Sequence, residues 1–203
     1  MTTLVDKASF WNEKYLNSES SWDLNSANPV FVKLLNDKKI ISPGSILIAG
    51  CGKGYDAIEA AKMGYKVTAI DFSSYAINFT NDLASQSSVK IQTIEEDIFE
   101  LNAEYENRFD IVYEYVMYCA INPDRRKEYA KKISSLLKNN GKYVALFFPV
   151  EKREGGPPFG ISLSDTYSIF SQHLKLELST NRIDSIKPRR GREVLQVYRK
   201  ISE

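Results

Sequence analysis

The sequence predicts an α/β fold, a parallel, doubly wound sheet with helices on both faces. Three observations carry this. Short apolar runs of strand length alternate with segments of helical period. The glycine-rich turn "AGCGKGYD" follows the first of those runs directly. An acid, Asp71, closes the second run.

Taken in order, "SILIAG" (45–50) reads as a buried strand. "YDAIEAAKMG" repeats Ala57, Ala60 and Ala61 at helical spacing, and Gly64 suits a left-handed stop. "YKVTAID" is a second strand, and Ser73 can cap the helix "SYAINFTNDLA". "VKIQTI" and "RFDIVYEYV" are strands three and four. Asn122 caps a helix with Pro123 at its first position, and that helix is expected to run to about Lys138 and end in "KNNGK". "KYVALFFPV" is a fifth strand. "SLSDTYSIF" opens on Ser162 three residues before Asp165, a capping-box-like helix start. The tail "HLKLELSTNRIDSI…GREVLQVYRK" reads as two further strands, an antiparallel pair at one sheet edge. Ahead of all these, "NPVFVKLL" reads as a helix started by Pro29.

Composition fits a soluble globular protein. The chain has 203 residues, 43% hydrophobic and 26% charged, enough for one domain with a sizeable core. A formal net charge of +1 gives no global positive field to recruit nucleic acid. No apolar run reaches membrane-span length, and "MTTLVDKASFWNEKY" lacks the features of a secretory signal. Two cysteines, Cys51 and Cys119, suit neither a disulfide scaffold nor a zinc site, so no metal and a cytoplasmic location are expected. We expect a monomeric single domain over 1–203, with 1–40 as an aromatic-rich helical lid.

Three ligands compete for the glycine loop. A phosphate-binding loop needs a hydroxyl residue after its lysine, but Gly54 follows Lys53. A dinucleotide fingerprint needs a small residue where Tyr55 stands. What remains is G-x-G-x-G, with Gly50, Gly52 and Gly54, which admits a ligand backbone-close without requiring a pyrophosphate. Asp71 can accept from both ribose hydroxyls, with Phe72 beside it. In "EEDIF", Asp97 can receive an adenine amine while Ile98 packs on the ring. An adenosine without a diphosphate fits best, and S-adenosylmethionine is the obvious candidate. Trp11 and Tyr15 share a helix face, and Trp22 lies just beyond; aromatic faces attract a sulfonium cation. The competing reading is a tight turn with surface acids, and aromatics that only pack the helix.

"FWNEKY…SWDLNSANPVFVKLL", "GCGKGYDA", "DFSSYAI", "EEDIF", "FDIVYEYVMYCAINPDRRKEYAKKISSLLKNNGK", "FFP", "GGPPFGIS" and "GREVLQVYRK" together resemble the thiopurine S-methyltransferase family. Within it the plant and bacterial halide/thiol methyltransferases are most similar. The resemblance covers nearly the whole chain in order. It implies a Rossmann-like class I methyltransferase sheet of seven strands with the last antiparallel. It places Trp11, Tyr15 and Trp22 over the methionine half of S-adenosylmethionine. Gly50 and Asp71 fall on the loop glycine and the ribose acid, and Asp97 and Ile98 on the adenine site. Tyr115 falls beside cofactor and substrate. "SSW" at 20–22 departs from the proline that relatives carry before the tryptophan.

The implied activity is methyl transfer to a small soft nucleophile: thiol, hydrosulfide, thiocyanate or halide. Thiopurine- or tellurite-type transfer and a non-catalytic binder are the alternatives. A soft anion needs no general base, and the single histidine, His173, reads as a surface or capping residue. Tyr115 and Tyr118 are the candidate catalytic residues, orienting a nucleophile or walling its pocket. Glu114 is either a base or an organiser of its loop. Cys119 reads as a buried thiol and Cys51 as a space-filler between glycines. "GGPPFGIS" (155–162) is a substrate-closing loop or a solvated connector. "KPRRGRE" (187–193) is an anion site or, as charge runs usually are, a solvated hairpin turn. A nucleic-acid methyltransferase is disfavoured, because "EYVM" stands where an amino-methylating enzyme carries [DN]-P-P-[YFW].

Overall fold

A computed structural model describes residues 3–201. The chain divides after Leu101 into two compact units.

In the first unit, α1 (Ala8–Leu16) precedes α2 (Pro29–Asn36). The Asn28 side chain caps α2 by accepting from the Val30 N–H at 2.8 Å, with Pro29 at the position where a missing N–H is harmless. β1 (Ser45–Ala49) pairs in parallel with β2 (Lys66–Asp71), and β2 with β3 (Gln92–Glu95). Both connections are helical: α3 (Tyr55–Lys62) follows β1 and α4 (Ser74–Gln86) follows β2. Ser73 caps α4 as expected, accepting from Ala76 N–H at 3.2 Å. β3 starts later than the sequence suggests, because the Val89 N–H is taken by the Ala84 carbonyl at the end of α4. The core is largely aliphatic, with Ile46, Leu47, Ile48, Val67, Ala69 and Ile70 of the strands and Ala57, Ile58 and Ala76 of the helices all buried.

The second unit holds β4 (Phe109–Tyr115), α5 (Arg126–Leu136), β5 (Leu137–Phe147), α6 (Leu163–Phe170), β6 (Leu174–Thr180) and β7 (Val194–Lys200). One expectation fails here. The helix opens as a 3-10 turn over Pro123–Arg125 and stops at Leu136, and "KNNG" lies inside β5. Pairing runs Phe109↔Leu137 and resumes at Ile111↔Lys142, so 138–141 forms a bulge with Asn140 at φ 64°. Asn and Gly mark bulges as well as turns, which is why the local signal misleads. The core of this unit is aromatic, with Tyr113, Tyr118, Tyr129, Tyr143, Phe147, Phe170 and Tyr198 all buried.

The seven strands order as β3-β2-β1-β4-β5-β7-β6, and β7 runs antiparallel to both β5 and β6. No helix among the described residues is long and apolar enough to cross a membrane.

Candidate functional site

The first unit gathers nine of the expected residues: Trp11, Tyr15, Trp22, Gly50, Gly52, Asp71, Phe72, Asp97 and Ile98. Gly50, Gly52 and Gly54 stand at φ 62°, 53° and 76°, the left-handed region that favours glycine. Gly54 is also sterically obligatory, since a Cβ there would stand 2.5 Å from the Thr80 hydroxyl oxygen. Asp71 fastens the loop. One carboxylate oxygen accepts from the Gly52 N–H and the other from the Ser73 N–H, each at 2.9 Å. Burial raises its pKa, and the backbone donors pull the other way. A carboxylate offers about four lone-pair sites, so sites remain for ligand hydroxyls. Asp71 thereby also ties the loop to the start of α4.

The N-terminal aromatics are in contact with one another. Tyr15 stacks on Tyr75 with centroids 5.2 Å apart and planes 10° from parallel. Trp22 meets Tyr15 edge-on at 5.4 Å and donates from its indole N–H to the Tyr15 hydroxyl at 3.3 Å. Trp11 meets Trp22 at 5.4 Å. A Cβ on Gly52 would stand 3.1 Å from the Tyr15 hydroxyl, so the cluster abuts the glycine loop directly. These residues fit an adenosyl sulfonium: a cradle that side chains would fill, an acid with spare acceptors, and aromatic faces. At the third strand, Asp97 accepts from the Phe99 N–H at 3.1 Å as a turn cap, and Ile98 is buried.

Other residues complete this cradle without having been singled out. Asp23 pairs with Lys53 at 2.7 Å, joining the segment after Trp22 to the glycine loop. Asn12 on α1 accepts from the Ser73 hydroxyl at 2.6 Å and the Tyr75 N–H at 3.3 Å. A polar cleft of about 410 Å³ opens among Tyr15, Ser20, Asp23, Asn25, Lys53 and Tyr75. Tyr15 is the one expected cofactor residue that lines it. The chain separations of these contacts, 61 residues in the case of Asn12 to Ser73, carry no periodic signal.

The second unit holds the two candidate tyrosines in different surroundings. Tyr118 is in the core, packed on Tyr129, Phe147 and Phe170, with the Arg126 guanidinium 4.6 Å over its ring. Its hydroxyl has no hydrogen-bond partner among the described residues. Tyr115 is half-buried, donates to Glu193 at 2.7 Å and receives a hydrogen bond from Arg189, whose guanidinium lies 5.0 Å from both the Tyr115 and Phe148 rings. Ser185 donates to the other Glu193 oxygen.

The charge run 187–193 is therefore only partly a solvated turn: Lys187 and Arg190 are exposed, while Arg189 and Glu193 are buried and interlocked with Tyr115. Charge that finds a partner 74 or 78 residues away looks locally the same as charge that faces water. The 155–162 loop is likewise tied down: the Phe159 N–H donates to the Cys119 carbonyl at 2.7 Å and Arg126 donates to the Gly160 carbonyl at 3.2 Å. Cys119 is buried and Cys51 half-buried, both as free thiols.

Residues 6–201 match the thiopurine S-methyltransferase family. The chain is 30% identical to thiocyanate methyltransferase 1 of Brassica oleracea, over 95% of this chain and 85% of that one. It is 29% identical to a probable thiol methyltransferase 2 of Arabidopsis thaliana, over the same shares. Its fold is similar to that of Burkholderia thailandensis 1,6-didemethyltoxoflavin-N1-methyltransferase, with a TM-score of 0.76 at 20% identity, covering 96% of this chain and 87% of that one.

Proposed function

From the premise that this chain belongs to the thiopurine S-methyltransferase family, whose members depend on S-adenosylmethionine, we propose that it methylates a small soft nucleophile: thiolate, hydrosulfide, thiocyanate or halide. The observation that carries the acceptor class is the setting of Tyr115. Its hydroxyl lies between Arg189 and Glu193, and the guanidinium stacks on two aromatic rings. Polarisable, half-dry surroundings, with the Arg189 charge offset by Glu193, suit a soft, weakly hydrated acceptor over a strongly hydrated one.

When bound, the cofactor supplies an electrophilic methyl group on a sulfonium. The chain's own work is then binding, orientation and exclusion of water. Asp71 accepts from the ribose hydroxyls while keeping Gly52 in place. Gly50 and Gly52 let the backbone approach the ligand, Phe72 and Ile98 pack against it, and Asp97 receives the adenine amine. Trp11, Tyr15 and Trp22 offer their faces to the cation. Burial raises the Tyr115 pKa, so this hydroxyl stays protonated with its hydrogen held by Glu193, and Tyr115 orients the acceptor through its ring and through the Arg189 guanidinium it holds in place. Tyr118 walls the same turn from the core side. A preformed anion needs no proton removed, and His173 sits in the turn after α6 with its N–H bonded to the Phe170 carbonyl. The reading of 1–203 as one methyltransferase domain with 1–40 as its lid, acting as a monomer on small molecules, belongs to this proposal.

The test is an acceptor panel on purified protein with headspace gas chromatography of methyl iodide, methyl thiocyanate and methanethiol. We expect product from at least one, with a rate that rises with pH for thiols of ordinary pKa, about 8.5, as thiolate accumulates. Methylation of an oxygen or nitrogen acceptor alone would overturn the reading. Turnover confined to thiopurines would move it to the other branch of the family.

A further inference from the structure

We propose that Glu114 is a positioning residue for the acceptor side of this reaction: its carboxylate holds the 115–119 turn in the shape that presents Tyr115, and its protonation loosens that turn. The inference rests on the functional reading above. Glu114 is 1% exposed, and a carboxylate so deep persists only where hydrogen bonds replace water. One of its oxygens accepts from two successive N–H groups, Met117 at 3.0 Å and Tyr118 at 3.1 Å. The other faces the Tyr143 hydroxyl at 3.5 Å.

The two backbone bonds sit directly after Val116, which stands at φ 58°. A β-branched residue avoids the left-handed region, so this turn is strained and must be held. Glu114 supplies the hold, together with the Cys119 thiol, which donates to the Val116 carbonyl at 3.1 Å. Hydrogen bonds to an ionised acceptor are roughly twice as strong as neutral ones, so the hold depends on charge. Tyr115 precedes Val116 directly, and its hydroxyl must reach Glu193 and Arg189 from that backbone.

The groups that face Glu114 are Tyr118 and Cys119 in the turn, Arg126 and Tyr129 on α5, and Tyr143 on β5. Burial outweighs the backbone bonds, the Tyr143 hydroxyl and Arg126, and pushes the Glu114 carboxyl up to about 7. The surrounding tyrosines and Cys119 are pushed upward by burial and stay neutral at that pH. Glu114 is thus the member of this cluster whose charge changes near neutrality.

The experiment uses iodide or thiocyanate as acceptor, which remains an anion from pH 5.5 to 8.5, so acceptor ionisation drops out. In the wild type, kcat should fall along a single ionisation, to roughly a tenth of its plateau one pH unit below the midpoint. In Glu114→Gln the amide oxygen can still accept both N–H groups, so the profile should be flat and below the wild-type plateau. Amide hydrogen exchange at Met117 and Tyr118, corrected for intrinsic rates and measured on the ligand-free protein, should lose protection below the same midpoint in the wild type and be pH-independent in Glu114→Gln. If that variant does not fold, Glu114→Asp keeps the charge and should keep a pH-dependent profile with a shifted midpoint. A flat wild-type profile, or the same fall in Glu114→Gln, overturns the positioning role. Exchange that ignores pH overturns the hold itself. A protein that methylates no acceptor defeats the functional reading, while the exchange experiment still decides the hold.

Discussion

Asp71 and Glu114 stand at the carboxyl ends of β2 and β4, and both accept hydrogen bonds from backbone N–H groups. They differ in how the backbone uses them. Asp71 divides its two oxygens between Gly52, 19 residues back, and Ser73, two residues on, and stays half-buried. Glu114 gives one oxygen to two neighbours three and four residues on and is closed off from water. An acid with spare, reachable lone pairs can meet a ligand, whereas one that is enclosed can only shape what meets it. The two units differ in the same way. The first sets its glycine loop with backbone and one acid, beside an aromatic cluster and over an aliphatic core, and the second sets its turn with a side-chain network over an aromatic one.

The largest effect should come from breaking the loop that Asp71 holds. Gly54→Ala places a Cβ in the left-handed region and 2.5 Å from the Thr80 hydroxyl oxygen, so strain and overlap add. We expect a loss of about 3 kcal/mol, read as a lower midpoint in chemical denaturation. Adding Thr80→Ala should recover only part of the loss, because the residue-80 Cβ still stands 2.9 Å away and the backbone strain remains. Full stability in Gly54→Ala would show that the loop is not conformationally locked.

The pH dependence of stability sharpens the comparison on the Glu114 side. Its folded pKa, about 7, lies above the ordinary carboxyl value of 4.5, so between these the folded state binds the proton more tightly than the unfolded state. Protonation weakens the two bonds that hold the turn but removes the larger cost of burying the charge, so stability from this group is greatest below about 4.5, falls as pH rises to about 7, and is flat above, by on the order of 3 kcal/mol in all. Thermal melts of the wild type and Glu114→Gln at pH 5, 6, 7 and 8 isolate it. The difference between the two curves should change with pH in favour of the variant, and a constant difference would mean that Glu114 does not titrate in that window.

Asp71→Ala should weaken S-adenosylmethionine binding by about 1.5–3 kcal/mol, the worth of hydrogen bonds to a charged group. It should also lower the melting temperature, since the Gly52 and Ser73 N–H groups lose their acceptor. Asp71→Asn keeps one acceptor oxygen and separates the two losses. Calorimetric titration that finds unchanged affinity in a folded Asp71→Ala protein removes this acid from the ligand's contacts. The smallest effect is Trp22→Ala, where lost cation–aromatic attraction should loosen the cofactor by about 0.5–2 kcal/mol. Tryptophan fluorescence that ignores the cofactor, with normal turnover in the variant, would make Trp11 and Trp22 packing residues only.

The sequence alone determined the alternation of strands and helices, the glycine loop, the acid that closes β2, the helix start at Pro29 and the caps at Ser73 and Ser162. These are set within one turn of chain, by side-chain period, by positive φ and by unsatisfied N–H groups, so local residue order is sufficient. Tertiary structure decided the rest. It put "KNNG" in a bulge inside β5, buried Arg189 and Glu193 of the 187–193 run against Tyr115, and joined Asp23 to Lys53 and Asn12 to Ser73. Each depends on partners brought close only by the packed strands and helices. Whether a charge is hydrated or paired is a property of what reaches it in space, and residue order does not record that.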